Sequence, residues 1–310
     1  MTLQSLLETT LQFGQFYGFI VIGYLVAKLS GKGKEVNRHL NSLLVNILVP
    51  VLFIYTLLTA SLTTMSEIPL IIVIAIFVHI LGPILMYIRL WGRNLDESTK
   101  GVFYICVTFN NALFIPLPLV LMFLGASWIP VVIIFSLTQM TLLATLGSFM
   151  GAIFGGKDSS YQKVVKDALT FPPFIAAIIG VFLLIINIHI PFEIASLLSY
   201  TGPLTTYLSL IAVGLAIGVR FSLVEVRSVL EVIGIRQILV PFIVFPIILL
   251  SRLSQIPAAI IMLEAMMPPA VLTVVYATSF NLDAEKAATI VTVGTLFLLP
   301  FIPIIPLLLA

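Results

Sequence analysis

The stretch FNNALFIPLP, residues 109–118, interrupts an apolar segment with two asparagines followed by two prolines. A second stretch, EAMMPPA at residues 264–270, places two adjacent prolines in a similar setting. A proline inside a helix removes one backbone hydrogen bond and clashes with the preceding turn. In lipid, a helix broken in this way survives only where protein or a water-filled cavity surrounds the break. We therefore expect two broken membrane helices whose second halves begin near Pro118 and Pro269 and point their N-termini at the membrane centre.

The composition around these two stretches is that of a polytopic membrane protein. The 310 residues are 60% hydrophobic and 9% charged. Apolar stretches of roughly 17–25 residues match a hydrocarbon core ~30 Å thick. They fall at residues 11–29, 40–60, 68–88, 101–124, 128–154, 169–188, 203–219, 234–253, 256–280 and 287–309. We predict an all-α membrane protein with ten transmembrane helices, of which spans 4 and 9 are the broken ones.

The basic residues give these spans an orientation. Almost all of them fall in the connections on one side of the predicted membrane: Lys28, Lys32, Lys34, Arg38, Arg89, Arg93, Lys100, Lys157, Lys163, Lys166, Arg220, Arg227, Arg236 and Lys286. Arg252 alone lies on the other side. Cytoplasmic loops are enriched in lysine and arginine. We therefore predict a multi-pass protein of the cell membrane with both termini extracellular, and we place Arg236 near the cytoplasmic face.

The order of the spans predicts an internal duplication. The basic loop at 155–168 divides ten spans into five and five, and an odd number in each half inverts the second half relative to the first. Prolines interrupt spans 4 and 9 at matching positions, and threonine stripes recur in spans 5 and 10. We predict a first five-helix repeat at residues 1–155 and a second, inverted five-helix repeat at 156–310.

Polar residues beside the two breaks are candidates for a binding site. Two facing helix N-termini favour an anion, and a carboxylate is the obvious candidate. Asparagine amides can bind a carboxylate or satisfy the backbone groups freed by the break. The structural alternative is two kinked helices without a ligand. The predicted substrate-binding residues are Asn110, Asn111, Pro116, Pro118, Pro268, Pro269, Gln139 and Thr273.

Ionisable residues inside the spans are few. Glu264 precedes the second proline pair, and an acid at that depth is a functional hypothesis because it is expensive in the membrane. We predict that Glu264 is a coupling site that carries a proton, the alternative being a structural, hydrogen-bonded carboxyl group. His79 in span 3 stands alone on an apolar stretch, which favours a packed and hydrogen-bonded histidine.

The motifs together resemble those of the auxin efflux carrier family, which includes the plant PIN-type exporters and prokaryotic permeases. The resemblance covers essentially the whole chain. It rests on LNSLLVNILVPVLF in span 2, FNNALFIPLPLVLMFLG in span 4, Gly202-Pro203 in span 7 and PPAVLTVVYATSFNLDAEKAATIVTVGT in span 9. It assigns Asn41, Pro50, Gly202 and Pro203 to the structural motif. The family often has glycine where this chain has Pro116.

The resemblance implies a fold shared with bile-acid:sodium symporters and sodium/proton antiporters. In that fold, spans 1, 2, 6 and 7 form a scaffold, and spans 3–5 and 8–10 form a transport domain in which spans 4 and 9 cross. It further implies an elevator-type motion and a homodimer. The implied substrates are small carboxylates, such as malate, malonate or auxin-like acids.

The sequence also argues against other classes of function. It contains no HExxH, GxSxG or Walker motif, and its one cysteine, Cys106, excludes a cysteine-cluster metal site. We expect no enzyme activity, no cofactor and no nucleic-acid partner. We predict a secondary transporter whose partners are a small carboxylate, membrane lipid and a coupling proton or sodium ion. The alternative is a sodium-coupled bile-acid-type symporter or a cation/proton antiporter on the related fold.

Overall fold

A computed structural model describes residues 3–59, 66–155, 165–166, 169–186, 188, 190–220 and 226–302. Its regular structure in these ranges is helical, apart from one isolated bridge between two extended segments. The helices are α1 (Leu3–Leu29), α2 (Gly33–Leu58), α3 (Ile68–Leu90), α4 (Glu97–Thr108), α5 (Pro116–Phe123), α6 (Ala126–Phe154), α7 (Pro172–Ile185), α8 (Phe192–Ser199), α9 (Thr201–Arg220), α10 (Val226–Leu250), α11 (Gln255–Met266), α12 (Leu272–Ser279) and α13 (Ala284–Phe301).

These helices account for the predicted apolar stretches within the described residues. In the part of the chain that the structure describes, seven helical segments are long and apolar enough to cross a membrane, and α7 and α11 are shorter apolar helices. Spans 4 and 9 are each broken into two helices, α4 with α5 and α11 with α12. Lys157, Lys163, the predicted repeat boundary and the ends of stretches 2 and 10 lie outside the described residues. The all-helical membrane class is confirmed, and the inverted five-plus-five repeat stays a prediction.

Two of the membrane helices contain a widened, π-helical turn directly before a proline. In α2 this turn covers Leu44–Leu48 and precedes Pro50, and in α10 it covers Gly234–Leu239 and precedes Pro241. A proline cannot donate to the carbonyl one turn earlier, and its ring crowds that carbonyl. The extra residue in a π turn relieves this crowding, and such turns are frequent at functional sites.

Glycines allow the closest approaches between helices. Gly23 of α1 packs against the backbone of Ile211 in α9, and Gly214 of α9 packs against the backbone of Ile20 in α1. A side chain at either glycine would collide with a carbonyl oxygen. The pair α1–α9 is extended by contacts of α2 with α7 and α9, whereas α3 packs on α4 and α6.

Two helices on the basic side begin with an aspartate cap. Asp96 accepts a hydrogen bond from the Thr99 amide at the start of α4, which lowers the pKa of Asp96. Asp283 accepts from the Lys286 amide at 2.9 Å at the start of α13. Between α3 and α10, Glu231 pairs with Arg89 and Arg93 at 2.9 and 2.6 Å.

Candidate functional site

The two breaks meet in the interior and pair with each other as short antiparallel strands. The Asn111 amide donates to the Pro268 carbonyl at 2.7 Å, and the Ala270 amide donates to the Phe109 carbonyl at 2.9 Å. Asn110 and Pro269 face each other in this pairing. The first break lies between α4 and α5, and the second between α11 and α12, so all four half-helices converge at one point. We call this point the crossing.

The pairing explains why two prolines are tolerated in the second break. In an antiparallel pair, directly opposed residues alternate between those that exchange hydrogen bonds and those that do not. Asn110 and Pro269 form a pair of the second kind, because both bonds run through their neighbours. The missing N–H of Pro269 therefore removes no bond from the pairing. The extended segment places the start of the following helix at Leu272, three residues after Pro269.

The pairing leaves the backbone amide and carbonyl of Asn110 without partners, and the side chain of Gln139 in α6 forms hydrogen bonds with both. Its side-chain Nε2 donates to the Asn110 carbonyl at 2.8 Å, and its Oε1 accepts from the Asn110 amide at 3.3 Å. Gln139 is 2% exposed. Buried backbone groups are costly when unpaired, so this one side chain takes the place of a neighbouring strand.

The side chain of Asn110 joins the first break to α11. Its Nδ2 donates to the carbonyl of Glu264 at 2.9 Å and to the carboxylate Oε2 of Glu264 at 3.1 Å. Arg236, in the π-helical turn of α10, reaches the same Glu264 carbonyl through Nη2 at 3.5 Å. Arg236, Glu264 and Asn110 are each 0% exposed. A buried arginine and a buried glutamate thus lie together at the C-terminal end of α11, where a cation is favourable.

Five polar atoms of this cluster have no hydrogen-bond partner among the described residues. The donors are Nε and Nη1 of Arg236, and the acceptors are Asn110 Oδ1, Glu264 Oε1 and Gln237 Oε1. Most buried polar atoms in proteins are paired, and an unpaired one is explained by strain, by a functional role or by a bound water or ion. The cluster therefore retains both donors and acceptors for a further polar group.

His79 of α3 extends the network away from Glu264. Its Nε2 lies 2.8 Å from Gln139 Oε1, and its Nδ1 lies 2.6 Å from the Ala75 carbonyl. The ring also packs against Phe135 and is fully buried. As expected from the sequence, it is a packed and hydrogen-bonded histidine. The polar network runs from His79 through Gln139, Asn110 and Glu264 to Arg236.

The other predicted site residues take varied positions. Asn111 is 6% exposed, and its Oδ1 accepts from the Phe114 amide at 3.0 Å, so it holds the turn that leads into α5. Pro116 is the first residue of α5 and Pro118 lies in its first turn. Thr273 is buried and donates to the Ala270 carbonyl at 2.6 Å. The crossing therefore brings together Asn110, Asn111, Gln139, Glu264, Pro268 and Pro269, with Thr273 in the first turn of α12.

The residues of the structural motif lie apart from the crossing. Asn41 lines a cavity at the basic end of α2, and Gly202 and Pro203 line another cavity near the start of α9. Pro50 follows the π-helical turn of α2. No described contact joins these residues to the paired breaks, which fits a role in the supporting helices.

Sequence reasoning missed three residues of the site. Arg236 was placed near the cytoplasmic face, and this is wrong because its side chain is completely buried against Glu264. Gln237 donates to the Gly294 carbonyl of α13 at 3.1 Å. A Cβ added to Gly294 would lie 2.9 Å from Gln237 Oε1 and 3.1 Å from Pro269 Cδ. The signal available for Arg236 was its position within an apolar span, ahead of Pro241.

Comparisons with known proteins identify the family of this chain. The model of the membrane transport protein family matches residues 15–306. A chain from Methanothermobacter thermautotrophicus, described as an uncharacterized transporter, is 26% identical over 287 residues, covering 92% of this chain and 93% of its own. An uncharacterized transporter from Methanocaldococcus jannaschii is 25% identical over 292 residues, covering 90% and 91%. The chain belongs to the membrane transport protein family, the auxin efflux carrier-like family that its motifs resemble.

Proposed function

We propose that this membrane transporter is a secondary transporter of small organic anions, with the crossing as its substrate site. The observation that carries the proposal is the direct pairing of two broken helices around buried asparagines. Irregular backbone at membrane depth is tolerated where it serves a buried site, and transporters place substrate at such breaks. The proposed substrates are carboxylates such as malate, malonate or auxin-like acids.

The chemistry of the crossing supports an anion more than a bare cation. Arg236 supplies a permanent positive charge, and its Nε and Nη1 have no partner among the described residues. Guanidinium groups are preferred partners of carboxylates. The first half-helix after a break, α5, also directs its N-terminal end toward the crossing. These groups together favour a negatively charged substrate.

The sodium-coupled alternative rests on a different set of atoms. Hard cations prefer oxygen ligands. Three buried oxygens have no hydrogen-bond partner among the described residues: Asn110 Oδ1, Glu264 Oε1 and Gln237 Oε1. The backbone carbonyl of Asn110 is already used by Gln139. The positive charge of buried Arg236 opposes a second cation nearby, so we rank this alternative below an anion carrier coupled to a proton through Glu264.

The proposed mechanism is an elevator-type motion of a transport domain against a scaffold. The scaffold would contain α1, α2, α7, α8 and α9, and the transport domain the remaining described helices. The close glycine packing of α1 on α9 supports a rigid scaffold. The ion pairs of Glu231 with Arg89 and Arg93 support common motion of α3 and α10. A homodimer and extracellular termini complete the proposal.

The test is flux of labelled malate, malonate and indole-3-acetate into proteoliposomes, with and without imposed sodium and pH gradients. Saturable uptake of one acid establishes the carrier, and a response to the pH gradient alone supports a proton. Uptake that requires sodium establishes the alternative. An absence of flux under every gradient, from folded and inserted protein, would contradict an organic-anion carrier for these acids.

A further inference from the structure

Two cavities lie at opposite ends of the same helices. The first, which we call the basic cavity, has a volume of about 800 Å³ and is lined by Lys34, Asn37, Arg38, Asn41, Val271 and Thr289, among others. The second, which we call the neutral cavity, has a volume of about 360 Å³ and is lined by Gln12, Gln15, Tyr55, Gly202, Thr206 and Tyr207, among others. None of the described residues that line the neutral cavity is charged.

The basic cavity is lined by charged and amide side chains along one face of α2. Four lining residues of α2 are spaced so that they share one helix face: Lys34, Asn37, Arg38 and Asn41. Lys34 and Arg38 are exposed, and Asn41 lies roughly 10 Å along α2 from Lys34 at 1.5 Å per residue. Glu285 also lines the cavity, so its charged lining is two cations and one anion. This arrangement attracts a small anion from solution.

The inner wall of the basic cavity reaches the crossing. Val271 directly follows Ala270, whose amide belongs to the pairing of the two breaks. Val274 and Thr289 belong to α12 and α13, whereas Asn41 belongs to α2. The cavity therefore lies between the proposed scaffold and the second broken helix.

A small apolar cluster separates the two cavities along the helices. It consists of buried Leu44, Leu48 and Ala212, packed against Leu40, Phe114 and Leu208, and we call it the barrier cluster. On α2, Leu44 and Leu48 lie between Asn41 and Leu52, which line the basic and the neutral cavity respectively. On α9, Ala212 lies between Thr206 of the neutral cavity and Val219 of the basic cavity.

Phe114 links this cluster to the crossing. It belongs to the first break, and its amide is held by Asn111 Oδ1 at 3.0 Å. Its ring packs against the cluster formed by α2 and α9. Asn111 in turn donates its own amide to the Pro268 carbonyl, so Phe114 is tied to the paired breaks through Asn111.

We propose that the basic cavity binds the transported carboxylate on one face and that the barrier cluster, closed by Phe114, separates it from the neutral cavity on the other face. An ionised carboxylate is costly to place among leucines, so the cluster blocks leakage while it is closed. Lys34 and Arg38 collect the anion, and the cavity leads it toward Val271 beside the crossing. The assignment of the ligand rests on the proposed function, whereas the position of the path does not.

The path is tested without transport by thiol labelling. Cys106 is buried and is the chain's one cysteine, so Cys106→Ser provides a background for single cysteines. We expect a membrane-impermeant thiol reagent to label Asn37→Cys from one face of sealed vesicles, Gln15→Cys from the opposite face and Leu44→Cys from neither. Adding Phe114→Ala should make Leu44→Cys reactive. Labelling of Asn37→Cys and Gln15→Cys from the same face, or of Leu44→Cys with Phe114 intact, would overturn the path.

The ligand assignment is tested by flux of whichever acid the wild-type protein transports. The double substitution Lys34→Gln/Arg38→Gln should raise the KM about three- to tenfold at low salt, leave kcat unchanged and lose this effect at high salt. Lys166→Gln, an exposed lysine outside the cavity lining, is the matched control. An unchanged KM would overturn the basic cavity as the anion site. If the labelling pattern holds but none of the acids is transported, the path stands and the proposed substrates are wrong.

Discussion

The two breaks at the crossing have the same backbone geometry and different chemistry. In their mutual pairing, each break donates one hydrogen bond from a backbone amide and accepts one at a backbone carbonyl. The first break carries polar side chains, Asn110 and Asn111, whereas the second consists of prolines and apolar residues. The second break instead receives its polar groups from its surroundings, through Glu264, Arg236 and Gln237.

This difference shows that the pairing and the ligand chemistry have separate origins. The pairing needs extended backbone, which prolines favour and which a non-hydrogen-bonded position allows. The chemistry needs charged and amide groups, which the sequence supplies from α6, α10 and α11 as well as from the first break. Substitutions can therefore disturb the two properties independently.

The largest expected effect follows from removing the buried cation. Arg236→Met leaves the Glu264 carboxylate buried without a nearby positive charge, which costs about 3–5 kcal/mol of stability. The double variant Arg236→Met/Glu264→Gln removes both charges and should recover most of that loss. Denaturant titration of the three proteins in detergent micelles measures the difference. Equal destabilisation in the single and double variants would contradict the coupling of the two charges.

The next effect concerns the support of the first break. Gln139→Leu leaves the Asn110 amide and carbonyl without their side-chain partner, at a cost of about 2–3 kcal/mol. Thr138→Val is the matched control, because Thr138 is also buried but bonds only the Ile134 carbonyl of its own helix. The free energy of unfolding should fall much less for Thr138→Val. A similar fall in both variants would show that Gln139 does not support the break.

A smaller effect is expected beside the second break. Gly294→Ala brings a methyl group against Pro269 and Gln237, which costs about 1–2 kcal/mol through displacement of tightly packed neighbours. Gly234→Ala is the control, since nothing lies within 4 Å of the added Cβ there. Thermal unfolding in detergent should show a lower midpoint for Gly294→Ala than for Gly234→Ala. The opposite order would mean that the second break is not held by α13.

The last effect concerns Glu264→Gln, whose amide oxygen can still accept from Asn110. Its diagnostic effect is on coupling. If Glu264 carries the proton, flux in this variant no longer responds to an imposed pH gradient. Uptake measured with and without that gradient checks the prediction, and an unchanged response would leave Glu264 with a structural role.

Much of this arrangement could be predicted from the sequence. Long apolar stretches located the helices, since the membrane requires a minimum span, and proline pairs located both breaks. Asn110, Asn111, Gln139 and Glu264 were expected near the breaks, and the structure brings them together.

Arg236 and Gly294 show where such reasoning ends. A basic residue ten positions into a helix is compatible with either an interface or a buried pair, and only the packing of α10 against α11 decides between them. Gly294 has no local signature, because its importance comes from contact with Pro269, which is distant in sequence. Both depend on tertiary contacts that no local pattern records.

The most direct test of the central claim compares two asparagine variants in the flux assay. Asn111→Ala removes a side chain at the crossing that bonds only the nearby Phe114 amide in the described structure, so the protein should fold. Asn46→Ala, at an exposed position on α2, is the control. We predict that Asn111→Ala abolishes carboxylate uptake while Asn46→Ala retains it. Normal uptake by folded Asn111→Ala protein would contradict the crossing as the substrate site.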